Sequence, residues 1–175
     1  MDKKILKNYQ IFSVIFTFIL GTLLHFLYNL SGENKLVASF SAVNESTWEH
    51  LKLFFFPMLM TIIIGYFYIG KNTPNFVCSK TIGIIISLIT TVVFFYTYSG
   101  ILGTNVALID ISSFFIITIL GELIAYKLMN FIFFKCNFKK SIIILIILLI
   151  CFIIFTYFPP HIGLFKDPVT GGYGI

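Results

Sequence analysis

Asn44-Glu45-Ser46-Thr47-Trp48-Glu49-His50-Leu51-Lys52 runs directly into Leu53-Phe54-Phe55-Phe56-Pro57-Met58-Leu59-Met60-Thr61-Ile62-Ile63-Ile64-Gly65. Nine residues hold two carboxylates, a histidine, an asparagine, a lysine and the chain's single tryptophan, and an apolar run follows at once. Ser46-x-x-Glu49 has the spacing of a capping box. Glu45 and Glu49 suit a helix N-terminus, where the peptide dipole favours negative charge. Trp48 and Lys52 suit the edge of a bilayer, one as an aromatic anchor and the other as a snorkelling base. Pro57 removes an N–H inside the run and leaves the Leu53 carbonyl without its helical donor. The thirteen residues from Pro57 to Ile69 make only about 20 Å of helix, too short to cross a bilayer of about 30 Å. The span therefore recruits the turns before Pro57, which draws Glu49, His50 and Lys52 to headgroup depth or below.

The rest of the chain supports a membrane reading. Of 175 residues, 58% are hydrophobic and 11% charged, where a soluble domain carries about 25% charged residues. Five apolar segments stand near the length a bilayer requires: about 9–30, 49–69, 81–98, 106–129 and 141–158. Bare backbone amides are not tolerated in lipid, so the β-branched runs become helices despite their strand preference. The fold expected is all-α, one integral membrane bundle of about five transmembrane helices, with residues 159–175 as an extracytoplasmic tail. All twelve basic residues are lysines. Nine of them (Lys3, Lys4, Lys7, Lys71, Lys80, Lys127, Lys135, Lys139 and Lys140) fall on one side of that topology and three (Lys35, Lys52, Lys166) on the other. The positive-inside rule then puts the N-terminus in and the C-terminus out, in the cell membrane. Lysines scattered through connections make no nucleic-acid surface, so the partners expected are the lipid bilayer and, for so small a bundle, further copies or another membrane protein. Cys78, Cys136 and Cys151 follow no pairing rule, and a disulfide framework is not expected.

The polar residues concentrate toward the expected outer face. Span one carries Ser13, Thr17, Gly21, His25 and Asn29 at intervals of four, one stripe of a helix and a seam for close packing. His25, Asn44, Glu45, Glu49, His50, Asp110 and, from the tail, His161 form the candidate ligand cluster. His and carboxylate suit zinc or a similar ion, and a Glu–His pair also suits general acid–base work. No HExxH spacing is present, so any metal site has to be assembled from several spans. Glu122 lies deep in the fourth span, where an ionisable group is a functional hypothesis by default, with Lys127 its nearest basic candidate in sequence. The tail's Phe165, Tyr173 and Ile175 suggest that it folds over the outer mouth and brings His161 or Asp167 near His50.

Several stretches together resemble one family. These are His25-Phe-x-Tyr28-x-x-Ser31-Gly32-x-Asn34, Asn44-Glu-Ser46-x-Trp48-Glu-His50-x-Lys52 with Pro57, Gly100-Ile-Leu-Gly103 ahead of Asp110-Ile, and the Pro-Pro-x-x-x-Leu-Phe-x-Asp-Pro-x-Thr-Gly-x-Tyr-Gly-Ile ending. The chain resembles a group of small bacterial multi-pass membrane proteins, a domain of unknown function. The resemblance implies an integral membrane protein and supplies no catalytic residue, metal or cofactor. Three functions stay open: an outer-leaflet site for a metal, haem or small polar ligand; a small transporter using Glu122 and Asp110; and a non-catalytic assembly or partner-binding protein.

Overall fold

In a computed structural model, which describes residues 3–131 and 133–175, the chain is helical almost throughout. The helices are α1 Lys3–Leu30, α2 Lys35–Ala38, α3 Thr47–Tyr68, α4 Phe76–Leu102, α5 Ala107–Asn130 and α6 Phe138–Tyr157. All but the four-residue α2 are long and apolar enough to cross a membrane. No strand forms among the described residues. Single 3-10 turns occupy Gly70–Asn72 and Gly163–Phe165.

Local chemistry places the helix starts. Asn34 accepts from the Leu36 N–H at 2.9 Å, Ser46 from Glu49 at 3.3 Å and Asn137 from Lys140 at 3.2 Å. Each supplies one of the acceptors that a helix N-terminus needs. Only half of the expected capping box forms. The Glu49 carboxylate turns away from Ser46 and accepts the Val43 N–H at 3.1 Å.

Helices α1, α3, α4 and α5 close into a ring in that order, with α5 returning to α1, and α6 packs outside against α4 and α3. Close approach of backbones makes the ring tight. A methyl group on Gly83 would sit 2.6 Å from the Gly121 carbonyl oxygen, so α4 and α5 meet through two glycines. A methyl on Gly21 would sit 2.5 Å from the Leu53 carbonyl oxygen, the acceptor that Pro57 frees. The freed acceptor thus faces a bare α1 backbone.

The ring is lined by Phe54, Phe55, Met58, Ile62, Ile84, Leu88, Ile117 and Ala125. Helix α1 inverts the pattern that water selects. Its inward positions include Gln10, Ser13, Thr17 and Gly21, while Ile11, Ile15, Ile19, Leu23 and Phe26 face outward. A soluble helix does the reverse. A surface of this kind fits lipid, against which polar groups turn inward.

The structure corrects three expectations. Lys80, counted above with the connecting-loop lysines, lies in α4 and is completely buried. Lys52 does not snorkel; it is also completely buried. Cys78 and Cys136 are joined in a disulfide, with their Cα atoms 6.4 Å apart. That pairing crosses 58 residues and arises because the first turn of α4 meets the α5–α6 connection at one end of the bundle. No sequence spacing reports such a contact.

Candidate functional site

The stretch around Trp48 becomes the upper end of α3, and a fully buried ion pair fixes it there. Lys52 Nζ lies 2.6 Å from Glu49 Oε2 and donates to the carbonyls of Ala38 at 2.9 Å and Ser41 at 3.1 Å. Its three protons are thereby accounted for. Glu49 also accepts from the Val43 N–H and, at 3.2 Å, from the Thr156 hydroxyl. One pair therefore ties the α2 segment, α3 and α6 together. Tyr157 adds to this by donating to the Lys35 carbonyl and bonding Ser39 Oγ at 2.8 Å. Buried charges persist where they are paired and well hydrogen-bonded; Lys52 has an acceptor for each proton, and the Glu49 carboxylate accepts three hydrogen bonds.

The segment held in this way carries Glu45 to the mouth of the bundle. There it meets His25, near the end of α1, and His50, in the first turn of α3. Glu45 Oε2 lies 3.3 Å from His50 Nε2, and Glu45 Oε1 lies 3.9 Å from His25 Nε2. The two imidazole rings are 5.2 Å apart. Each residue offers one ligand atom, and these all lie within 4.8 Å of one another. The side chains are partly open, 28% for His25, 34% for His50 and 49% for Glu45.

Hydrogen bonding orients His50. Its Nδ1 lies 3.0 Å from the Ser46 carbonyl oxygen, which can only accept. Nδ1 therefore carries the hydrogen, and in the neutral ring Nε2 turns a lone pair toward the Glu45 carboxylate. Two lone pairs at that distance call for a positive charge between them, either a proton on Nε2 or a bound cation. When Nε2 is protonated, its hydrogen bond holds the Glu45 carboxyl below its usual range, against the opposing pull of partial burial.

The other candidate residues are employed elsewhere. Asn44 donates from Nδ2 to the Gly174 carbonyl at 3.0 Å, and its Oδ1 accepts the Ser46 N–H at 2.9 Å. Glu49 is committed to Lys52. Asp110 accepts from the Tyr98 hydroxyl and, at 3.4 Å, from the Asn105 amide, holding the α4–α5 connection. The tail does fold onto the bundle, with Phe165 against Trp48 at 4.8 Å between ring centres and against Phe155 at 5.5 Å. It brings neither of its ionisable candidates into the three-residue cluster. His161 stacks on Tyr173, and buried Asp167 accepts from Val169 and Thr170 in its own turn.

Glu122 finds its partner in Lys80 rather than Lys127. Lys80 Nζ lies 2.6 Å from each carboxylate oxygen and 3.2 Å from Ser13 Oγ, over the Tyr9 ring at 5.2 Å. Sequence reasoning missed both buried lysines as partners. For Lys52 the signal was present, because Glu49 lies at i−3 on the same helix. For Lys80 the partner is 42 residues away, and no local pattern points to it.

An all-α bundle of five long apolar helices, with a two-histidine, one-carboxylate cluster at one end, describes the molecule. The chain belongs to the Family of unknown function (DUF6512), whose profile matches residues 1–175. No curated protein and no solved structure matches it.

Proposed function

We propose that this is a multi-pass protein of the cell membrane that binds a divalent transition-metal ion through His25, Glu45 and His50. The observation that carries this reading is the convergence of three ligand atoms from separate elements within 4.8 Å, one of them a histidine whose other nitrogen is engaged by a backbone carbonyl. A metal-ligating histidine characteristically donates its second N–H in this way. Ligands about 2.1 Å from a tetrahedral ion stand about 3.4 Å apart. Here the two imidazoles lie 3.3 and 3.9 Å from different oxygens of Glu45 and the three ligand atoms fall within 4.8 Å of one another, so the cluster contracts on binding. Two imidazoles and a carboxylate suit zinc and its neighbours better than calcium or magnesium, which prefer oxygen. Three protein ligands and partial exposure leave a coordination position open, as catalytic rather than closed structural sites do. With the N-terminus inside, the lysine bias sets this site on the outer face.

The test is metal content and zinc titration of the purified protein in nanodiscs, with cobalt absorption as a probe of tetrahedral geometry. One ion per chain is expected. His25→Ala and His50→Ala are expected to weaken affinity by about 100-fold or more, with helical content unchanged. Wild-type protein that binds zinc no better than the doubly substituted chain would overturn the reading.

A further inference from the structure

Among the described residues, five buried polar side-chain atoms have no hydrogen-bond partner, and three of them lie along one face of α1: Gln10 Oε1, Thr17 Oγ1 and His25 Nδ1. Buried polar groups are paired in nearly all native structures, so a row of three orphans on one stripe calls for small polar guests. Ser13 lies in the same row and contacts the Lys80–Glu122 pair. The row follows the α1–α5 seam. Gln10 meets Met129 there at 3.7 Å, and Gly21 meets the Phe114 ring.

We propose that this seam holds a file of internal water through which Glu122 exchanges a proton with the end of the bundle that carries His25 and, past Gln10, with the opposite end. The Phe114 ring, seated on Gly21, is the constriction. From Ser13 to His25 is twelve residues, about 18 Å of helix, so several waters hydrogen-bonded through Thr17 are needed to cover the distance. Phe114 sits in that path, clamped by Phe18 at 5.6 Å and Phe54 at 4.5 Å. The step itself is a proton transfer. An excess proton entering at the His25 end passes along the file. An O–H bond of the last, protonated water breaks to leave neutral water, one forms on the Glu122 carboxylate, and the reverse step returns the proton to the file. Besides Glu122, Lys80 contacts Ser13 Oγ and the Tyr9 face. The titratable groups facing Glu122 are Lys80 from α4 and Tyr9 from α1, whose hydroxyl donates to the Thr61 carbonyl of α3. The inference does not depend on metal binding at the mouth.

The experiment is proton entry into proteoliposomes loaded with a pH-sensitive dye, driven by a potassium-diffusion potential. Phe114→Ala should open a leak that wild type lacks, and adding Glu122→Gln should close it again. Phe114→Ala vesicles as tight as wild type, or a leak that survives Glu122→Gln, would overturn the proposal. Radiolytic hydroxyl-radical footprinting decides the matter if either variant fails to fold. Met129, at the seam and 8% exposed, should be oxidised more slowly in Thr17→Val, which removes a polar group from the row, than in the wild type. Equal rates in the two proteins would mean a dry seam and end the proposal.

Discussion

At the residue scale, the two buried lysines organise the molecule. Lys52 satisfies all three protons within the protein, and Glu49 would be left as an uncompensated buried charge without it. Lys52→Met should therefore destabilise the fold by about 3–5 kcal/mol, read from unfolding in a mixed detergent titration. A loss inside the error of the titration would mean that the pair holds nothing together. The same reasoning separates neighbouring carboxylates. Glu45→Gln should weaken zinc binding, because it removes an anionic ligand. Asp110→Asn should leave zinc binding untouched, because that side chain holds the α4–α5 connection instead. Equal effects of the two on a zinc titration would remove the basis for assigning Glu45 as a ligand.

At the scale of elements, close backbone contacts govern the ring. Gly21 lets α1 approach the carbonyl that Pro57 releases in α3. Gly21→Val would drive a branched side chain into Leu53 and Phe114, and overpacking of this kind costs about 1–3 kcal/mol. We expect it to lower thermal stability in detergent, and an unchanged melting temperature would show that the two helices can separate freely at this point. The tail is a second such case. Phe165 and Phe152 both pack against the Trp48 ring, at 4.8 and 4.7 Å between centres. Truncation after Pro160 should expose the indole and shift its fluorescence to longer wavelength. Emission that stays in place would mean that the tail does not shelter it. This contact was only half legible: the tail's aromatic residues announced a packing role, but not which face would receive them.

At the scale of the whole molecule, two signals oppose each other at the lysine-rich end. The lysine bias assigns it to the cytoplasm, while the Cys78–Cys136 pairing suits an oxidising compartment. If the N-terminus is inside, the cytosol reduces the pair, and a membrane-impermeant maleimide should label Cys78 and Cys136 once cells are permeabilised, without added reductant. Labelling that needs a reductant as well would mean that the pair stays oxidised, reverse the orientation and move the histidine cluster to the cytoplasmic face.

The helices themselves could be read from the residues alone. Runs of about 20 apolar residues in a chain with 11% charge leave one solution in lipid, because every backbone amide must be satisfied within its own segment. The Ser46 cap and the small-residue stripe of α1 were legible for the same reason, since both depend on neighbours within a turn or two. Which charges meet was decided only by the tertiary structure. Lys80 looked like a loop residue because it flanks an apolar run, and became the partner of Glu122 only when α4 packed against α5. Likewise, His25, Glu45 and His50 gather because α1, the α2–α3 segment and α3 end at the same mouth, while His161 and Asp110 find other neighbours. A helix is set by interactions a few residues apart, whereas a site is set by the packing of segments far apart in the chain.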